Sequence, residues 1–222
     1  AGIDLRGLDV ALLGIGAAGQ SILQALRQAQ VGRILVANRT LAPVTRAVHE
    51  QARRRRQAAQ DGAAADEPPL VAVPWGDGRR LATADLVVHA SSLGHGAGFL
   101  APLLPADPRL PTWTTGRKHW TTQAFSEAAL DLAWLPWPAF RARGTVVFDA
   151  VYASGATWFQ AIALQHGLTA DRRLLPDVPA EPRPAQGVLI GSGEAMLARQ
   201  AARSFALWLG AEDACAEPDG SG

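Results

Sequence analysis

The sequence predicts an α/β protein: a Rossmann-like, doubly wound parallel sheet that carries a Pro/Trp-rich insertion. Three observations predict it. Short apolar runs alternate with longer stretches of helical periodicity. The first run ends directly in Gly14-Ile15-Gly16-Ala17-Ala18-Gly19, a G-x-G-x-x-G placed between strand and helix, where such glycines serve a dinucleotide. A hydrophobic content of 48 % in 222 residues is enough for one large core.

Each element has its own signal. Asp9 to Leu13 is apolar and stops at glycine, as a buried parallel strand does. From Ala17 to Gln30, Ile22, Leu23, Ala25, Leu26 and Ala29 recur at helical spacing. Arg33 to Ala37 is a second buried strand, followed by a helix from about Pro43 to Gln60 that Asp61-Gly62 ends. Ala63 to Pro69 is a polar loop; Leu70 to Pro74 and Asp85 to Ala90 are strands three and four. Between Gly94 and Gly144 the pattern breaks into a stretch with six prolines and Trp113, Trp120, Trp134 and Trp137. Within it, Ser126 to Trp134 has the pattern of a short amphipathic helix. This insertion leaves the carboxyl end of strand four, where long loops serve as lids or binding loops. Its tryptophans form a satellite core or a partner surface. Thr145 to Asp149 is the next strand, Ala156 to His166 a helix, Val188 to Ile190 a last strand and Glu194 to Leu209 a last helix. The domain is expected to run from 1 to 210, with 211–222 a disordered tail.

Bulk properties narrow the function classes. A net charge of +1 favours no nucleic acid or anionic surface, and 20 of the 21 basic residues are arginine, with Lys118 the single lysine. Arg53 to Arg56 reads as a solvated helix face, with no aromatic platform beside it for nucleic acid. One cysteine, Cys215, leaves no internal disulfide and fits a reducing, cytoplasmic location. No apolar run approaches the ~18 residues of a membrane span, and no signal peptide is visible. The five histidines show no metal-ligand spacing beyond a weak His89/His95 pair, and no G-x-S-x-G elbow occurs.

The glycine turn assigns roles. Gly14 permits the tight turn, Gly16 lets backbone approach a pyrophosphate, and Gly19 allows helix and strand to pack closely. The amides at the helix N-terminus then supply the anion site. Simple turns also use glycine, so the next strand end carries the choice of nucleotide. An NAD site places Asp or Glu there; this chain has Asn38-Arg39-Thr40. A guanidinium binds a 2′-phosphate by charge-assisted, often bidentate bonds, and Thr40 adds a hydroxyl. The expected cofactor is NADP.

These residues, with three later segments, resemble the cofactor domain of the shikimate dehydrogenase family. Asp85-Leu-Val-Val-His-Ala-Ser-Ser-Leu-Gly94 is similar to its "DLVVNATSLG", with His89 for Asn and Ser91 for Thr. Asp149-Ala-Val-Tyr152 followed by Thr157 is similar to "D-x-V-Y…T". Gly193 to Gln200 and Ser204 to Gly210 are similar to "G-x-x-M-L-x-x-Q…F-x-L-W-x-G". The resemblance implies that Gly14, Ile15, Gly16, Ala17 and Ala18 bind the pyrophosphate and Asn38, Arg39 and Thr40 the adenosine 2′-phosphate. It also implies that Ser91, Ala150 and Gly193 border the nicotinamide and that Tyr152 and Gln200 reach a substrate hydroxyl or carboxylate. Taken without it, Tyr152 reads as a strand-end core residue and Gln200 as a solvated helix position.

The implied reaction is hydride transfer between NADP(H) and a cyclic hydroxy or oxo acid of the shikimate or quinate type, a step of aromatic amino acid biosynthesis. Members of the family carry an N-terminal substrate domain with "S-x-T-x-P-x-K" and a later Asp, which share the proton transfer. Neither segment occurs here, so the resemblance implies a substrate domain supplied in cis or in trans, and no catalytic residue is assigned. Lys118 lies in no family motif, and His95 stands where the family has Met. The competing reading is a non-catalytic NADP-binding or protein-interaction module derived from the same fold.

Overall fold

Strand alternation decides which helix covers which face. The computed structural model describes residues 4–62, 67–91, 131–151, 157–170 and 188–192. They form β1 (Asp9–Leu13), α1 (Ala17–Gln28), β2 (Arg33–Asn38), α2 (Leu41–Gln60), β3 (Leu70–Pro74), a single 3-10 turn (Gly78–Leu81), β4 (Leu86–His89), α3 (Trp137–Arg143), β5 (Val146–Asp149), α4 (Trp158–Gln165), β6 (Thr169–Ala170) and β7 (Val188–Ser192). The strands make one parallel sheet in the order β3-β2-β1-β4-β5-β7-β6. Sequence order reverses between β1 and β4, the point at which open α/β sheets bind ligands.

Successive strand residues point to opposite faces. Val10, Leu12, Ile34, Val36, Leu86 and Val88 pack with Leu23 and Leu26 of α1 and Val44 of α2. Ala11, Leu13, Leu35, Ala37, Val87 and Val147 pack on the other face with Trp137 and Phe140 of α3 and Phe159 and Ile162 of α4. Helices therefore cover both faces, the doubly wound arrangement that the alternation of elements predicts.

Two elements were not anticipated from the sequence. The first lies at the end of the Pro/Trp-rich insertion from 94 to 144. Leu132, Leu135, Trp137 and Phe140 are at most 3 % exposed, and α3, between β4 and β5 in the chain, packs on the sheet. Its prolines do not oppose this, because Pro138 stands in the first helical turn, where no intrahelical N–H is required. The short helix expected over 126–134 lies mostly outside the described residues. The second is β6, a two-residue strand that no apolar run announces. Smaller differences lie at element ends: α1 stops at Gln28 because Gln30 takes a left-handed backbone, φ 51°. The final helix expected from Glu194 and the tail from 211 lie outside the described residues, as do Tyr152, His95, Lys118, Gly193 and Gln200.

Candidate functional site

The carboxyl ends of β1, β2, β4 and β5 bring most of the expected residues together. Gly14 has φ 101°, and a Cβ on it would lie 2.7 Å from Ala90 O and from Ser91 N and Cα. A Cβ on Gly19 would meet Gly14 O at 2.3 Å. Both glycines are therefore demanded by the protein itself: the turn runs against the end of β4, and α1 sits directly on the turn. Gly16 differs. Its φ of −68° suits any residue, and a Cβ there would have nothing within 4 Å. Among the described residues, neither backbone conformation nor a neighbour requires glycine at 16. Gly16, Ala17 and Ala18 are exposed at the start of α1, which has no side-chain cap and no acidic residue in its first turn. That leaves an uncapped helix N-terminus facing open space, suited to an anion.

The β2 end acts partly as a brace. Asn38 Oδ1 accepts from Ile15 N at 3.2 Å, and Asn38 Nδ2 donates to Thr40 O at 2.7 Å. Its amide thereby ties the glycine turn to the start of α2. Arg39 is half exposed, forms an ion pair with Asp131, and lies with Cζ 5.8 Å from the Trp75 ring centre. Thr40 is exposed at the N-cap of α2, where its side chain makes no capping bond. Trp75 and Asp131 were not singled out from the sequence. Trp75 stands level with Arg39 because Asn38 pairs with Pro74, a register that only the structure gives. Asp131 is 92 residues from its partner, beyond the reach of any local pattern.

A second group sits across the switch point. Leu13 pairs with His89, and His89 with Asp149, so the three form one layer at the top of β1, β4 and β5. His89 Nδ1 lies 2.9 Å from Asp149 Oδ1, and Nε2 lies 2.6 Å from Ser91 Oγ. His89 and Asp149 are 1 % exposed, while Ser91 is half-buried. Asp149 Oδ1 also accepts from Val151 N at 3.0 Å, and Oδ2 has no partner among the described residues. The imidazole stacks on Phe159, with ring centres 4.6 Å apart. Phe159 is held by α4, whose start is fixed by a capping box between Thr157 and Gln160. Ala150 is buried at the end of β5 and donates its N–H to His89 O at 2.8 Å. Among the described residues no group of three or more His, Cys, Asp or Glu could hold a metal ion. No helix there is long and apolar enough to cross a membrane.

No protein-family model matches the chain, and no curated protein matches it. Solved structures do. A shikimate 5-dehydrogenase from Listeria monocytogenes, in complex with shikimate and NAD, is 17 % identical over 93 % of this chain and 53 % of that one, with a TM-score of 0.53. The ligand-free 5-ketofructose reductase of Gluconobacter sp. strain CHM43 is 16 % identical over 94 % and 53 %, with a TM-score of 0.52. The chain thus spans about half the length of these structures. The likeness that the sequence motifs carry extends to the fold.

Proposed function

We propose that this chain is the dinucleotide-binding domain of an NADP-dependent oxidoreductase of the shikimate dehydrogenase kind, acting on a cyclic hydroxy or oxo acid. The observation that carries the proposal is Gly16, the N-cap of α1, where no described neighbour crowds a Cβ and no side chain caps the helix beside the switch point. The amides at Gly16, Ala17 and Ala18 hold the pyrophosphate, and Asn38 keeps the turn in shape by bonding Ile15 N. Arg39 and Thr40 take the 2′-phosphate, with Trp75 beside Arg39 as a flat apolar neighbour for the adenine end. Ser91 and Ala150 border the nicotinamide, which when bound gives or takes a hydride. Gly193, Tyr152 and Gln200 keep the roles that the family resemblance implies. The similar folds of a shikimate 5-dehydrogenase and a 5-ketofructose reductase support this reading.

Gly16→Val tests it directly. The added side chain meets no described neighbour, so thermal stability should fall by no more than about 1 kcal/mol, the usual cost of an apolar residue at a helix N-cap. It should also abolish NADP binding measured by calorimetry. Unaltered NADP affinity in a folded Gly16→Val chain would remove the turn from the site.

A further inference from the structure

We propose that the exposed basic face of α2 is the docking site of the chain's own acidic segment, residues 211–222. The proposal stands apart from the dehydrogenase reading, since it uses no residue of the glycine turn or of the strand ends. Arg46, His49, Arg53 and Arg56 recur at spacings of three and four residues, so they line one face of α2, and all four are exposed. The opposite face holds Val44 and Gln51, which are buried. Arg54 and Arg55 turn to Glu67, one pairing with its carboxylate and the other donating to its carbonyl. Arg46, Arg53 and Arg56 have neither an ion pair nor a hydrogen bond among the described residues. Glu50, the one acid of the helix, lies beside them and offsets a single charge. A stripe about 15 Å long from Arg46 to Arg56 is left with an excess of positive charge.

Charge selects the occupant. A second copy of α2 would set arginine against arginine, so the face does not pair with itself. Residues 211–222 hold Glu212, Asp213, Glu217 and Asp219, with no basic residue and no large apolar side chain. Such a segment has no core to make, and charge is its means of contact. Extended, it spans about 40 Å, more than the whole stripe. Reach is sufficient too. β7, which ends at Ser192, lies four strand spacings from β2, about 19 Å, and thirty residues run from there to Gly222. Exposed ion pairs are weak one by one. A tethered segment, however, is present at an effective concentration of about mM, so several of them together hold it. Docked there, it neutralises the stripe and closes a basic helix face to other polyanions.

Cys215, the single cysteine, stands in the middle of the acidic segment and takes a nitroxide spin label on the full chain. In ¹⁵N spectra at low salt the label should broaden the amide signals of Arg46, His49, Arg53 and Arg56 and leave those of β5 unchanged. In about 1 M salt, where the Debye length is about 3 Å, the broadening should vanish. It should also vanish when Glu212→Gln, Asp213→Asn, Glu217→Gln and Asp219→Asn are combined, and when Arg46→Gln, Arg53→Gln and Arg56→Gln are combined. The three arginines are exposed, so unchanged signals from β1 and β2 show that the second set still folds. No broadening on α2 at low salt, or broadening that survives both sets of substitutions, overturns the proposal. So does equal broadening of an unlabelled ¹⁵N chain mixed with the spin-labelled one, because the occupant is then another copy. Chromatography on heparin tests the closure. Neutralising the four acids should raise the salt needed for elution, and adding the three Arg→Gln changes should cancel the rise. A rise that persists without the arginines overturns the stripe as the face concerned.

Discussion

In the proposed reading Arg39 carries the choice between NADP and NAD, and its surroundings set how strongly. A half-exposed ion pair such as that with Asp131 contributes about 0–1 kcal/mol. A 2′-phosphate offers charge-assisted and bidentate bonds that exceed this, so the guanidinium should leave Asp131 for the nucleotide. Arg39→Ala should then weaken NADP binding by about 1.5–3 kcal/mol and barely affect NAD. Equal losses for both cofactors in a calorimetric titration would sink the assignment. Asp131→Ala should act in the opposite sense, tightening NADP by up to about fivefold as the competing carboxylate is removed. Gly14 supplies the structural contrast to Gly16. Gly14→Ala forces a left-handed alanine against the backbone of Ala90 and Ser91, and should cost at least about 2 kcal/mol in denaturant unfolding.

At the scale of elements, α3 and the start of β3 are the joints to test. Trp137 is 1 % exposed, its Nε1 donates to Leu132 O at 3.1 Å, and its ring meets Phe140 and Phe159. Trp137→Ala should cost about 3–5 kcal/mol; a loss under about 1 kcal/mol would show that α3 is not part of the core. Glu67, just before β3, binds Arg27 of α1 at 2.7 Å and Arg54 of α2 at 2.9 Å. Burial alone would raise its carboxyl pKa, but the Arg54 hydrogen bond and the charges of Arg27 and Arg54 outweigh that and hold it below the ordinary value. A carboxyl with a lowered folded pKa adds stability above its unfolded value, about 4.3, and loses it as pH falls through the folded value. Glu67→Gln should thus cost about 1 kcal/mol at pH 7 and progressively less as pH falls below the unfolded value. Urea midpoints for both proteins across that range check the sign.

For the whole molecule, cofactor binding and turnover separate. The glycine turn, its Asn38 brace and Arg39 all lie on this chain, so NADP at a hundredfold excess over its Kd should add about 2.7 kcal/mol. In a domain of this size that raises Tm by about 5–10 °C. The family resemblance places the grip on the substrate in another domain. The chain given only NADP and shikimate should therefore show no turnover, and steady NADPH formation would show that the substrate contacts are complete within it. The basic run on α2 fits a structural part in this picture, since Arg54 pairs with Glu67 and Arg55 donates to its carbonyl.

The sequence by itself determined most strands, the first two helices and the glycine turn, because these are written in local pattern. Alternating apolar residues assign strand faces, helical spacing marks α1 and α2, and Gly14, Gly16 and Gly19 sit at fixed offsets within one turn. Prolines and tryptophans hid α3, whose apolar residues declare themselves only once Trp137 and Phe140 are seen against Phe159. The pairings that give the site its chemistry were decided by tertiary structure alone. His89 and Asp149 are 60 residues apart, and Arg39 and Asp131 are 92 apart. A local pattern reports its own period and not the strand that lies beside it. Strand order and register put β4 between β1 and β5, and so turn a buried histidine, an aspartate and a serine into one hydrogen-bonded line.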